Sequence, residues 1–324
     1  MSNIKQTILN ITKAKDAKEV EEIQLLWSGY GKIARYSLVG SDIKTVIVKN
    51  IVFPIQASHP RGWNTAISHQ RKVKSYQVES EWYKSYSHFN DDACRIPKCY
   101  GIETVGEEHL IVLEDLDAAG FPIRKSQLTK DEVKVCLKWL ANFHAKFLDV
   151  KPAGLWKTGT YWHLATRADE FKEMNDSPLK QAASKIDEIL NNCQFKTLVH
   201  GDAKVANFCF APDIKSVAAV DFQYVGGGCG MKDVAYLLGS CLSENECKIY
   251  EKELLYFYFT ELKSVLDKTS KIYEFNRLEK EWRNIYPFVW SDFTRFLMGW
   301  MPTHQKINGY SKIQVEKALK KLSH

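Results

Sequence analysis

A chain of 324 residues with 45% hydrophobic and 12% aromatic content can bury one large core or two modest ones, which excludes a disordered polypeptide. Its net charge of +6, from 45 basic and 39 acidic residues, is mixed along the sequence rather than gathered into a tail. That distribution argues against a nucleic-acid partner and suits a small anionic ligand. The opening residues lack the apolar run and small-residue cleavage site of a secretory signal, and no apolar run approaches the ~20 residues of a bilayer crossing. A soluble, cytoplasmic protein is expected, monomeric or a small homo-oligomer, with no membrane partner. The eight cysteines show no Cys-x-x-Cys spacing and read as reduced, buried thiols.

In chain order, Glu22 to Leu26, Ala34 to Val39 and Thr45 to Phe53 read as strands of a meander, with turns at Ser28 to Gly31 and Gly40 to Asp42. A polar stretch from His69 to His88 reads as a helix, with Val73, Tyr76, Ser80, Tyr83 and Ser87 at helical spacing. Strands follow near Ile96 to Tyr100 and His109 to Leu113, and an acidic turn spans Glu114 to Asp117. Thr129 and Glu132 have the spacing of a capping box and open an amphipathic helix through Val133, Cys136, Leu137, Leu140 and Phe143. Short strands are expected at Thr197 to His200, Phe208 to Ala211 and Val217 to Phe222, and helices over most of the last hundred residues.

The strongest local signal is His200-Gly201-Asp202, then Asn207, then Asp221-Phe222. This pattern resembles the catalytic and metal-binding loops of aminoglycoside phosphotransferases and choline-kinase-like enzymes, closest to the ecdysteroid-kinase-like group. The resemblance implies an α+β, protein-kinase-like two-lobed fold. Residues 1–115 would form an antiparallel nucleotide-binding lobe with one main helix, and residues 116–324 a mainly helical catalytic and substrate-binding lobe. It also implies ATP and Mg2+ as cofactors and transfer of the γ-phosphoryl group to a hydroxyl of a small molecule. Phosphoryl transfer asks a protein mainly to position the reactants and neutralise phosphate charge. Asp202 would therefore face the attacking hydroxyl, Asn207 and Asp221 would offer the hard oxygen ligands that magnesium favours, and Lys204 would lie beside the transferred group. His200 reads as a hydrogen-bonding brace rather than a proton carrier.

Upstream, Gly29 and Gly31 sit in a turn where a backbone can approach phosphates. Lys49, ending Val46-Ile-Val-Lys49, resembles the strand lysine that contacts nucleotide phosphates. Glu79 and Glu81, two apart, face different sides of their helix. The resemblance selects Glu79, three residues before the aromatic pair Trp82-Tyr83, as the partner of Lys49. Glu114 and Leu116 would lie in the nucleotide hinge, and Asp233 would brace the catalytic loop while capping its own helix. Gln223 replaces the glycine of protein kinases, as in the ecdysteroid-kinase-like group, whereas Ala203-Lys204 departs from the Leu-Trp often found in that group and the run Gly226 to Gly230 is unusual for any of these enzymes.

Two other readings compete. A protein kinase would need a peptide-docking segment, but only about ten residues separate Gln223 from Asp233 and no Ala-Pro-Glu motif follows. A catalytically weak or inactive kinase-fold scaffold would usually lack one of Lys49, Asp202, Asn207 or Asp221, and all four are present. The acceptor, whether amino alcohol, sugar, nucleoside or sterol-like alcohol, would meet residues among Trp282, Trp290, Asp292, Arg295, Trp300 and His304. Aromatics beside acids there could receive an organic cation, although tryptophans on helices more often pack as core.

Overall fold

The computed structural model describes residues 3–26, 29–52, 66–89, 91–105, 108–269 and 274–323. Trp27, Ser28 and Phe53, expected in a turn and a strand, lie outside these. The fold is α+β, with an antiparallel five-stranded sheet near the N-terminus and a helical remainder.

The sheet contains β1 (Asp16–Leu25), β2 (Gly31–Val39), β3 (Thr45–Val52), β4 (Cys99–Val105) and β5 (Glu108–Glu114), in the order β1-β2-β3-β5-β4. Side chains on a strand alternate between faces, and β3 uses both. Val46 and Val48 pack with Leu110, Val112 and Ile8 of a short helix, α1 (Asn3–Thr12), which covers one face. Ile51, with Ile111 and Leu113, faces the other side, where α2 (Ala66–Ser85) contributes Tyr76, Val78, Trp82 and Tyr83. Lys49 shares the face of Ile51, in register with Ile33 of β2 and Ile111 of β5. The alternation therefore delivers one lysine to an otherwise apolar interface beneath α2.

Beyond the sheet come α3 (Lys130–Lys146), α4 (Ala168–Glu173) and α5 (Pro178–Asn191). Then follow four three-residue strands, β6 (Thr197–Val199), β7 (Phe208–Phe210), β8 (Val217–Ala219) and β9 (Gly226–Gly228), paired as β6 with β9 and β7 with β8. The chain continues through α6 (Met231–Cys241), α7 (Glu244–Leu266), α8 (Phe275–Trp300) and α9 (Gly309–Leu322). One hydrophobic cluster runs from Ile51 and Tyr76 through Phe143 of α3 and Phe222 to Trp282 of α8, so the sheet and the helices share a core. The aromatic stack of Trp82 on Phe222, with ring centroids 4.6 Å apart, is its hinge pin.

The expected elements recur, with shifted ends. The second helix begins earlier than His69, and the three strands expected between Thr197 and Phe222 are each shorter. Helix α1, the first residues of β1 and the strand β9 were not anticipated. All eight cysteines are free, and seven are buried. Among the described residues no helix is long and apolar enough to cross a membrane.

The capping box of α3 is complete: Thr129 accepts from the Glu132 N–H, and the Glu132 carboxylate accepts from the Thr129 N–H at 2.8 Å. Replacing Thr129 by Ala should lower unfolding free energy by ~1 kcal/mol. A urea titration checks this, and an unchanged midpoint would show that the cap contributes nothing.

Candidate functional site

Three segments converge between the sheet and the helices. From β3, the Lys49 ammonium meets Glu79 Oε2 of α2 at 2.6 Å and Asp221 Oδ1 at 3.5 Å. Lys49 and Glu79 are almost wholly buried. Burial alone would pull the lysine pKa down, but the two carboxylates outweigh it and hold the ammonium above its ordinary value. Glu81 faces elsewhere and accepts from Ser85 Oγ at 2.6 Å.

Asp221 follows β8 in the left-handed region, φ 69°, a conformation uncommon for residues with a Cβ and concentrated at functional sites. Burial would raise its carboxyl, but Lys49, Lys204 and Lys72 together hold it below the usual aspartate value. Gln223 Nε2 donates to Asp221 Oδ1 at 2.8 Å. Its Oε1 accepts from Lys72 Nζ at 3.1 Å and from Ser75 Oγ at 3.2 Å, both on α2. A single side chain thus links the helix that carries Glu79 to the carboxylate beside Lys49.

The loop after β6 is fixed from below. Asp233, fully buried in the first turn of α6, accepts from the His200 N–H at 2.6 Å and the Gly201 N–H at 2.9 Å, while His144 Nε2 lies 3.1 Å from it. Gly201 has φ +80°, and a Cβ there would lie 2.0 Å from the Tyr224 carbonyl oxygen. His200 Nδ1 accepts from the Asp202 N–H at 3.3 Å, leaving Nε2 to donate to the Val220 carbonyl at 3.0 Å. The imidazole is therefore a strut between the two loops, as its position in the sequence suggested. A second tie is the Val220 N–H, which donates to the Asn207 carbonyl at 3.0 Å.

On this frame Asp202 Oδ2 accepts from Lys204 Nζ at 3.0 Å and Asn207 Nδ2 at 3.1 Å, and Asn207 Nδ2 also reaches the Asp202 carbonyl at 2.8 Å. Asp202 Oδ1 is buried with no hydrogen-bond partner among the described residues. Burial raises the Asp202 pKa; Lys204 opposes the shift and Asp221 adds to it. The two aspartates are pushed apart, one toward proton acceptance and the other toward permanent charge.

The remaining expected residues are placed as follows. Gly29 lies between β1 and β2 and Gly31 opens β2, both at positive φ. The Glu114 side chain turns to Arg95 and accepts from the Lys98 N–H at 3.0 Å, and its backbone N–H donates to the Lys98 carbonyl at 2.8 Å. Leu116 packs with Cys209 and Ala218. Trp282 and Trp290 are core, and Asp292 and Arg295 form a buried ion pair of 2.9 Å; none of these lines an open site. Trp300 ends α8 and His304 lies in the loop after it; both are half-buried, with ring centroids 6.0 Å apart. Sequence reasoning missed Lys72, Tyr161, Tyr236 and Lys306. Nothing in their local sequence marks them, because long-range folding alone brings them near Asp202 and Asp221.

Comparison with known proteins bears on the family and the fold. Residues 46–152 match the Ecdysteroid kinase-like family, and residues 163–321 match a family described as "Uncharacterized oxidoreductase dhs-27". No curated protein matches in sequence. Among solved structures, a Plasmodium vivax ethanolamine kinase is 15% identical, with a TM-score of 0.50 over 94% of this chain and 81% of that one. An aminoglycoside-3'-phosphotransferase of type VIII is 16% identical, with a TM-score of 0.49 over 82% and 93%. An aminoglycoside phosphotransferase from Streptomyces rimosus, solved with ADP and streptomycin, is 9% identical, with a TM-score of 0.43 over 78% and 90%. The fold is kinase-like, and the expected resemblance to the ecdysteroid-kinase-like group agrees with the family match over residues 46–152.

The Asp233 brace gives a direct stability test. Asp233→Ala would strand two buried N–H groups and His144, and should destabilise the protein by roughly 3 kcal/mol or more. A urea midpoint close to that of the native protein would show the brace to be dispensable.

Proposed function

We propose that this chain is an ATP-dependent, magnesium-requiring phosphotransferase that moves the γ-phosphoryl group to a hydroxyl of a small molecule, as a soluble, cytoplasmic monomer or small homo-oligomer. Residues 1–115 would bind the nucleotide through Gly29, Gly31, Lys49 and the backbone of Glu114 and Leu116, with Glu79 holding Lys49 in place. Residues 116–324 would bind the acceptor and carry the chemistry. The observation that carries this reading is the buried, unpartnered Asp202 Oδ1, set beside Lys204 and close to the Lys49–Asp221 contact.

The donor chemistry fits a magnesium ion. Among the described residues no three His, Cys, Asp or Glu side chains are grouped to hold a metal alone. Asn207 and Asp221 would contribute two oxygens, with phosphate oxygens and water completing the shell, as magnesium commonly requires. Bound there, the ion would neutralise charge on the phosphates. Asn207 suits this role because its Nδ2 is committed to Asp202, which turns its Oδ1 away from that residue.

In the step itself, the acceptor hydroxyl gives its proton to Asp202 Oδ1 while its oxygen forms the new bond to phosphorus. The bond from phosphorus to the β,γ-bridging oxygen breaks, and that oxygen leaves with ADP. Lys49 and Lys204 offset negative charge on the phosphates, and the rigid loop fixes the angle of approach.

Incubating the protein with ATP, magnesium and a panel of hydroxylated metabolites, and reading ADP release, tests the activity. Asp202→Ala should reduce turnover by about a thousand-fold or more while leaving nucleotide binding intact, the scale expected for losing a positioned base and its alignment. Asp221→Ala should weaken binding of the magnesium nucleotide. Normal turnover by the Asp202 variant would remove the base assignment.

The pH profile gives a separate check. Asp202 must be deprotonated to act, and burial raises its pKa, so the acid limb of kcat/KM should lie above the ordinary aspartate value of 3.8. Removing the ammonium in Lys204→Ala should move that limb further toward neutral pH. A limb that stays in place would separate it from Asp202.

A further inference from the structure

We propose that the acceptor carries an anionic group, such as a carboxylate, bound by Lys306 against an aromatic wall beside Asp202; this rests on the phosphotransfer reading. Lys306 lies in the loop between α8 and α9. Its ammonium sits 5.1 Å from the ring centroid of Tyr236 and 5.8 Å from that of Phe293. The hydroxyl of Tyr236 donates to Tyr161 at 3.1 Å. These rings and Phe296 form a continuous aromatic cluster, with ring centroids of Tyr161 and Phe296 5.4 Å apart.

No carboxylate among the described residues lies within ion-pair distance of the Lys306 ammonium, and its neighbours are aromatic faces. Burial pulls its pKa below the ordinary lysine value; Asp202 acts against that shift and Lys204 with it. A half-buried ammonium without a counter-ion carries a desolvation cost that two ring faces offset only in part, and a ligand anion would relieve the rest. Asp202 acts on Lys306 without forming an ion pair with it, and its Oδ2 accepts from Lys204 and Asn207.

The same geometry disfavours an organic cation. The acid that sequence placed among the aromatics, Asp292, is buried and neutralised by Arg295, whose Nε and Nη2 lie 3.0 and 2.9 Å from its Oδ1. Glu170 is likewise taken by Arg167 at 2.8 Å. A quaternary ammonium entering beside Tyr236 would find rings, but it would also meet Lys306 and Lys204. Like charges at such range repel by an amount comparable with the cation–π gain.

A matched trio of probes separates the possibilities: para-(hydroxymethyl)benzoate, benzyl alcohol and para-(hydroxymethyl)phenyltrimethylammonium. Their dissociation constants for the full chain are measured by calorimetry, without turnover. The carboxylate should bind at least about ten-fold more tightly than the ammonium compound, and Lys306→Glu should abolish or reverse that order. Lys306→Met should bring the three within about three-fold of one another. Thermal melting of both variants confirms that the loop substitution leaves the fold intact. Equal or reversed affinities in the native protein, failure of all three probes to bind, or an order unchanged in Lys306→Glu would overturn the inference. ADP release from ATP with the metabolite panel is read on the same preparation. Its absence counts against phosphotransfer, whatever the charge preference proves to be.

Discussion

Asp221 keeps its charge because three ammonium groups converge on it, and much of the surrounding structure exists to hold those groups still. A carboxylate removed from water tends to protonate. Here burial is opposed by Lys49 from the sheet, Lys72 from α2 and Lys204 from the loop after β6. Each cation comes from a different element, so the charge of one residue depends on the relative placement of three segments. Glu79 fixes Lys49 from the opposite side, and Gln223 ties Asp221 back to Lys72 and Ser75 of the helix that carries Glu79. A shift of α2 would therefore disturb the pair Lys49–Glu79 and the support of Asp221 together. Without that helix Lys49 would lose Glu79 and Asp221 would lose Lys72, leaving the two supported only by each other and by Lys204.

The opposite treatment of Asp202 follows from the same arrangement. It lies beside Lys204 but farther from the other cations, and the negative charge of Asp221 works against its ionisation. Two aspartates on neighbouring loops thus acquire different chemistry from position alone. What makes the difference persistent is the hydrogen-bonded frame underneath. Asp233 holds the His200 and Gly201 amides, and His200 spans from the Asp202 amide to the Val220 carbonyl, one residue before Asp221. Every bond in that chain involves the backbone, so the frame transmits position with little side-chain freedom.

Much of this was legible in the sequence, for identifiable reasons. The spacing from Asp202 to Asn207 is short and sits on one loop, so residue types and separation were informative. Lys49 was legible because Val46-Ile-Val-Lys49 resembles a strand whose lysine contacts nucleotide phosphates; strand composition alone leaves most lysines solvated. Edge strand β1 was harder: most of its residues are exposed on both faces, so no apolar period marks its start at Asp16. Strand β9 was harder still, because glycine weakens a strand. The reason it forms lies elsewhere in the chain, since a Cβ on Gly226 would fall 2.2 Å from the Trp156 carbonyl oxygen. The glycine run that looked anomalous in one dimension is a steric requirement in three.

The acceptor side shows the limit of local reading most clearly. Tryptophan-rich helices with nearby acids offered two meanings, a cation-receiving box or packed core, and composition favours the core without excluding the box. Burial decides between them: Trp282 and Trp290 are enclosed, and Asp292 has its partner three residues along the same helix. An i, i+3 acid and base can always neutralise one another on a helix surface, so their joint presence could not signal a free anionic subsite. Lys306 presents the converse. In sequence it is one exposed-looking lysine among many, whereas in the fold it is a cation set against two rings with its charge unpaired. Unsatisfied electrostatics of this kind comes from what the rest of the chain fails to supply. It therefore emerges only once every neighbour is placed, and it bears on specificity more than on chemistry: in the proposed reaction the loops around Asp202 and Asp221 would fix what is done to a hydroxyl, and the charge around Tyr236 would bias whose hydroxyl it is.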